Sequence, residues 1–196
     1  TTLAAPGALE AALGRLRSGA RLLVFPHFMA DGWFSTEELP RRLRKAGAGE
    51  FAILPAFGLD PAVHRLCLGL ARDAVAAHAP GTAGLLLAAH GSPSDPRPAA
   101  AAYQAAKFLE ASGTFREVRV GFIDEAPYLA DAARMASPAV CLPYFAGRAG
   151  HVETDVPQAL AKADFPGRLL QPVGFGPLVP GIIAAALARA ATRRAA

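Results

Sequence analysis

The chain has 196 residues, 53% of them hydrophobic and 18% charged, with a formal net charge of +4. This is long enough to bury a sizeable core, and too apolar and too weakly charged for a disordered chain. Its 20 Lys and Arg residues are scattered rather than striped as nucleic-acid binding needs, no apolar run reaches the ~18 residues of a membrane span, and no basic leader opens the sequence.

In chain order, apolar periodicity predicts helix over residues 8–17, strand over 21–25, helix over 37–45 and strand over 51–54. A helix over 61–77 follows, opened by Pro61 in the first turn, where a missing N–H costs nothing. Strand 84–89, helix 99–112, strand 116–122 and helix 128–135 come next. Strand 139–142, helix 156–163, strand 168–171 and helix 177–189 complete the set. The strands are short continuous apolar runs, as in parallel strands covered on both faces, and the alternation with helices predicts a doubly wound α/β protein. Cys67 and Cys141 sit inside apolar stretches without any metal-ligand spacing. They read as buried free thiols of a reducing compartment, so a cytoplasmic protein is expected.

The sequence also repeats. Phe25-Pro26-His27-Phe28 with Pro40 answers Leu142-Pro143-Tyr144-Phe145 with Pro157, and Gly58, Asp60 and Pro61 answer Gly174, Gly176 and Pro177. Ala5-Pro6 answers Ala126-Pro127, and the three ordered blocks are offset by 117, 116 and 121 residues. Two homologous halves are expected, residues 1–80 and 81–196. The second half carries a strand and a helix ahead of Pro127 that have no match ahead of Pro6. Roughly 40 residues are therefore expected to be lacking from the start of the first half.

Three strand ends of the second half carry the candidate chemistry. His90 follows the apolar run 84–89 and precedes Gly91-Ser92, at the carboxyl end of a parallel strand where open α/β sheets bind ligands. His151 lies between the next strand and its helix, in a loop made pliable by Gly147 and Gly150 and cationic by Arg148. Asp124 and Glu125 end a third strand; adjacent carboxylates point apart, so at most one of the two is expected in the cleft. Glu153 and Asp155 fit first-turn positions facing a helix N-terminus. Two imidazoles and a carboxylate make a plausible transient site for divalent iron, cobalt, nickel or zinc. His64 and His78 read as packing or surface residues. His27 matches Tyr144 across the repeat. Phe34 stands where His151 does, and Leu3 and Ala4 stand where Asp124 and Glu125 do. One site, built mainly by the second half, is expected.

At these residues the sequence resembles the class II tetrapyrrole chelatases, the sirohydrochlorin cobaltochelatases and ferrochelatases of cobalamin and sirohaem synthesis. The resemblance rests on residues 85–92 with His90-Gly91-Ser92, on the strand ending Gly121-Phe122-Ile123-Asp124, and on Phe145, Gly150, His151, Asp155 and Pro157. It implies two flavodoxin-like half-domains with parallel sheets, and ATP-independent insertion of Co2+ or Fe2+ into sirohydrochlorin. It implies metal and catalytic roles for His90 and His151, with the acidic role at Asp124 or Glu125. No permanently bound cofactor is implied, the metal being substrate. The macrocycle is a polycarboxylate, so Arg148 is expected to bind it, together with Ser92; Arg97 is a weaker candidate in a turn. The sequence departs from the family pattern in its acidic strand end and by an extra residue, Ala149, between Arg148 and Gly150. A non-catalytic tetrapyrrole- or metal-binding protein of the same fold is the alternative. No membrane or nucleic-acid partner is expected.

Overall fold

The computed structural model describes residues 3–16, 21–148 and 150–195; Ala149 and part of the expected helix 8–17 lie outside them. Among the described residues six strands form two parallel sheets. The first contains β1 (Leu22–Val24) and β2 (Phe51–Ile53), and the second contains β3 (Gly84–Ala89), β4 (Glu117–Phe122), β5 (Ala139–Pro143) and β6 (Arg168–Leu169). All six lie where the apolar runs predict them. The helices are α1 (Ala8–Leu13), α2 (Leu39–Lys45), α3 (Pro61–Ala74), α4 (Arg97–Ala111), α5 (Leu129–Ala132), α6 (Val156–Lys162) and α7 (Val179–Ala195). No helix of the described chain is long and apolar enough to cross a membrane.

Strand β3 is buried at every position because it is flanked by β4 and β5 and covered on both faces. Successive side chains alternate across a sheet. Leu85, Leu87 and Ala89 therefore pack with Val63, Cys67 and Ala71 of α3 and with Ala102, Ala105 and Leu109 of α4. Leu86 and Ala88 pack on the other face with Leu129 of α5 and Val156 and Leu160 of α6. The small side chains of α4 let it lie close to the sheet. Helix α3 starts where Pro61 sets the backbone and the Asp60 carboxylate accepts the Ala62 N–H at 2.8 Å. Both thiols are buried and free; burial pushes Cys67 up to about 12 and Cys141 higher still.

The second sheet runs β4-β3-β5-β6. The chain leaves β3 in one direction to reach β4 and in the other to reach β5 and β6, so the order reverses between β3 and β5. In doubly wound folds that reversal opens a crevice beyond the carboxyl ends of the strands. The first sheet pairs β1 with β2 as the second pairs β5 with β6. Strands β3 and β4 thus have no counterparts among the described residues of the first sheet, where the sequence repeat implied one strand and one helix.

The repeat extends to the backbone bonds. Leu54 donates to Val24 O and Leu170 to Cys141 O; Phe57 donates to Pro26 O and Val173 to Pro143 O. Gly58 and Gly174 lie so close to the preceding loops that a Cβ would stand 2.2 Å from Met29 O and 2.3 Å from Ala146 O respectively, which reserves both positions for glycine. The halves also interleave. Helix α3, last of the first half, covers the second sheet, while Arg189 of α7, last of the second, pairs with Asp60 at 2.7 Å.

A short π-helical segment precedes the corresponding helix in each half, Phe34–Glu38 before α2 and His151–Asp155 before α6. The sequence reading opens these helices at 37 and 156 and does not foresee the wider turns. Such turns are rare, and they reorient the side chains they carry.

Candidate active site

Strand β3 ends at Ala89, and His90 is the next residue, half exposed at the crevice between β3 and β5. Gly91 follows with φ of 74°, a left-handed conformation. A Cβ there would meet Glu125 Oε1 at 2.8 Å and Phe122 Cβ at 3.0 Å, so the turn is closed by a glycine packed against the neighbouring strand end. The Asp124 N–H donates to His90 O at 3.0 Å, tying the end of β4 to the end of β3.

His151 enters the same crevice from the loop after β5, at the first position of its π-helical turn. Its Nε2 lies 3.1 Å from His90 Nε2, and the rings are nearly perpendicular with centroids 4.5 Å apart. Each ring is held from behind. His151 Nδ1 donates to Asp155 Oδ2 at 2.5 Å. His90 Nδ1 faces Gly91 O at 3.0 Å and Asp124 Oδ2 at 3.2 Å. Carbonyl and carboxylate oxygens only accept, so both Nδ1 atoms carry hydrogen and both Nε2 atoms turn lone pairs toward each other. The two Nε2 atoms are therefore placed to act together on one electrophile, a cation or a proton, entering the crevice. A divalent metal would be held by both Nε2 atoms, which are ligands suited to iron and cobalt dications.

The adjacent acidic pair divides its work. Asp124 is exposed and faces His90, whereas Glu125 Oε1 turns back to accept the Ser92 N–H at 2.8 Å. Ser92 thus contributes its backbone to the loop, and its hydroxyl lies 3.4 Å from that of Ser94. Asp155 is the residue that sequence reasoning left in a helix-capping role. Its signal is the four-residue spacing from His151, which a π-helical turn converts into a direct contact. Among the described residues no group of three or more His, Cys, Asp or Glu side chains is arranged to hold a metal, so the imidazole pair is backed by carboxylates rather than completed by them.

A cleft of about 460 Å³ opens beside His90, lined by His90, Gly91, Tyr144 and Ala146 of the second half and by Phe28 and Phe34 of the first, with His151 outside its lining. A larger groove of about 610 Å³ lies between α7 and the first sheet, lined by Asp60, Arg65 and Arg189 among others and by neither site histidine. Arg148 is exposed; its guanidinium reaches Gln171 Oε1 through Nε at 2.8 Å and through Nη2, and stacks 4.8 Å from the Phe175 ring centroid. Arg97 is engaged by Asp95 at 2.8 Å and by the Thr36 hydroxyl at 3.2 Å, joining the two halves at the cleft rim. The Asp95 carboxyl is held down to about 2, chiefly by its hydrogen bonds from Arg97.

The related place in the first half has lost this chemistry. Phe34 stands where His151 does, and Glu38, where Asp155 does, accepts instead from Arg41 and Arg42 at 2.6–2.7 Å. The Arg42 guanidinium lies 5.5 Å from the Phe34 centroid. A guanidinium donates but has no lone pair for a metal. His64 is buried and bonded to Gly58 O at 3.1 Å, and burial lowers its pKa.

A parallel sheet of this order, with a carboxylate-backed imidazole pair at its switch point and a homologous half closing the cleft, defines a protein of the chelatase-like class. A solved structure described as CbiX, the terminal enzyme for biosynthesis of siroheme in denitrifying bacteria, is 45% identical and superposes with a TM-score of 0.87 over 96% of this chain and 81% of that one. The CbiX family model matches residues 84–190, more than half of the sequence, and the chain belongs to the CbiX family. Two more distant structures share the fold. One is a multi-domain protein of Deinococcus radiodurans described as similar to chelatases (24% identity, TM-score 0.70, 90% of this chain and 42% of that one). The other is SirB from Bacillus subtilis with Fe3+ (15%, TM-score 0.67, 86% and 71%). No curated protein gives a significant match.

Proposed function

We propose that this protein inserts a divalent metal, Co2+ or Fe2+, into sirohydrochlorin without ATP, at one site built from His90, His151 and Asp124. The observation that carries the reading is the 3.1 Å approach of the Nε2 atoms of two half-exposed imidazoles, of which His90 lines the cleft. The 45% identical siroheme enzyme supports it and favours Fe2+ as the metal taken.

The chemistry follows from the ligand set. Insertion exchanges metal-bound water for macrocycle nitrogens and releases two pyrrole protons. Imidazole binds iron and cobalt dications, and two such ligands leave the remaining coordination positions open for the incoming macrocycle. The carboxylates of Asp155 and Asp124 hold the rings in the Nδ1–H tautomer and fix the direction of Nε2. Once the metal passes to the macrocycle, the same Nε2 lone pairs are free to accept the departing protons. Arg148, freed from Gln171, pairs with a macrocycle carboxylate, and the Ser92 loop lies along the cleft edge. The metal is substrate, and no resident cofactor is part of the reading. The two units are residues 1–80 and 81–196, the second carrying the site, in a cytoplasmic protein with no nucleic-acid or membrane partner.

The test is incubation of the protein with sirohydrochlorin and Fe2+ or Co2+, followed through the macrocycle absorbance. Conversion by wild type, lost in both His90→Ala and His151→Ala while macrocycle binding persists, is the expected result. Equal background conversion by all three proteins would leave a binding protein and end the enzymatic reading.

A further inference from the structure

We propose that His27, a first-half residue remote from the metal-facing atoms, is a positioning residue that fixes the loop delivering His151. Its Nε2–H donates to Ala146 O at 2.7 Å and approaches Gly174 O at 3.2 Å. Both carbonyls belong to the second half, and Ala146 opens the stretch that leads from β5 to His151. The imidazole packs 4.6 Å from the ring of fully buried Phe57, and its Nδ1 is buried with no hydrogen-bond partner. The ring is thus held by its contact with Phe57 and by the bonds of a single nitrogen.

The repeat shows what this contact is for. Tyr144 occupies the place of His27 in the second half, and its hydroxyl donates to Gly58 O in the first. Gly58 and Gly174 are themselves repeat-related, and each is wedged against the loop of its own half, at Met29 and Ala146. Each half thus sends one aromatic or imidazole donor into the other half's glycine-loop junction. The bonds have different consequences. The loop held through Tyr144 and Gly58 leads to Phe34, which has no metal chemistry. The one held by His27 leads to His151, whose Nε2 must stay 3.1 Å from that of His90. Tyr144 and Ala146 also line the cleft beside His90, so the clamp forms its floor.

The effect on turnover rests on the proposed insertion activity, but the geometric claim does not, and a spectroscopic readout separates them. In wild type, replacing His151 by Gln moves the ring 15N signals of His90, because the two Nε2 atoms share one contact. In His27→Phe, which keeps the ring contact with Phe57 and removes the donor, the same replacement leaves the His90 signals unmoved. His27→Tyr, carrying the donor the repeat uses at this position, restores the response. If wild type inserts metal, kcat falls on the order of 10–100-fold in His27→Phe with KM changed far less, the signature of a misplaced catalytic group, and recovers in His27→Tyr. An undiminished His90 response in folded His27→Phe overturns the proposal. Should that variant not fold, a folded His27→Tyr that lacks the response overturns it equally, and one that shows it supports the clamp. Absence of metal insertion by wild type would count against the proposed function alone, because the ring signals still decide the role of His27.

Discussion

Asp155 accepts from His151 Nδ1 at 2.5 Å, four residues along the same π-helical turn. The equivalent carboxylate in the first half, Glu38, lies four residues after Phe34 and is taken up by two arginines. One backbone device therefore serves two ends. In the second half it orients an imidazole, and in the first it anchors an ion cluster in which a buried carboxylate meets two exposed guanidinium groups.

That contact makes Asp155→Asn an informative variant. The amide keeps the shape but can present its NH2 group to His151 Nδ1, which favours the wrong tautomer and draws the lone pair away from Nε2. Loss of a carboxylate behind a metal-binding histidine typically costs ~10–100-fold in metal affinity or activity. Insertion rates should fall in that range, with the melting temperature shifted by no more than a few degrees. Wild-type rates in a folded Asp155→Asn would remove Asp155 from the site.

The neighbouring acids at the end of β4 should separate in the same assays. Asp124→Ala removes an exposed partner of His90 and is expected to lower insertion with little change in denaturant midpoint. Glu125→Ala leaves the Ser92 N–H without its acceptor and loosens the Gly91 turn. It should cost on the order of 1–3 kcal/mol in stability, with any activity loss tracking the loosened loop. The reverse pattern, stability lost at Asp124 and activity alone lost at Glu125, would exchange their roles.

Much of this was legible in the sequence, and the parts that were not have a common cause. Strands β3 and β5 announce themselves because they are buried at every position and admit only apolar side chains; β1, β2, β4 and β6 are less buried and show through their short apolar runs between helices. His90 and His151 could be placed together because parallel strands bring their carboxyl ends to one edge. Asp155 was hidden because the sequence reading starts the helix at 156 and leaves His151 in a loop, so the two were not set on one helical turn, where residues four apart are neighbours. The contact of His27 with Ala146 joins residues far apart in sequence, through the interleaving of two halves that no local pattern encodes. Which of Asp124 and Glu125 faces His90 depends on how the strand end turns: Asp124 lies 3.2 Å from His90 Nδ1, while Glu125 is turned back onto the Ser92 N–H.

Gly91→Ala tests the packing of Gly91 against Glu125. The new methyl would occupy a left-handed backbone and stand 2.8 Å from the Glu125 carboxylate. Strain of this kind costs about 1–3 kcal/mol, and here it acts on the residue next to His90. Both stability and insertion should fall together. Gly147→Ala, where a Cβ meets nothing within 4 Å, is the matched control and should leave the fold unchanged. A Gly91→Ala protein as stable as wild type would mean the turn relaxes freely, and the rigidity assigned to the β3 end would be lost.

The ion cluster of the first half predicts a pH dependence of stability. Hydrogen bonds from Arg41 and then Arg42 hold the Glu38 carboxyl at about 2, against an ordinary value of 4.5. The folded state therefore binds this proton less readily than the unfolded chain, and the cluster stabilises the fold above about 4.5. As pH falls from there toward about 2, the unfolded state takes up its proton first and the advantage drains away. Glu38→Gln removes the charge while keeping the shape. Its melting temperature should lie below that of wild type at pH 7, the gap should narrow steadily under pH 4.5, and the two should converge near pH 2. Because Phe34, not His151, sits beside this cluster, metal binding at the histidine pair should be unaffected by the substitution at neutral pH. A gap that stays constant across the acid range would show that Glu38 acts through packing alone, with its ion pairs contributing nothing to the stability of the first half.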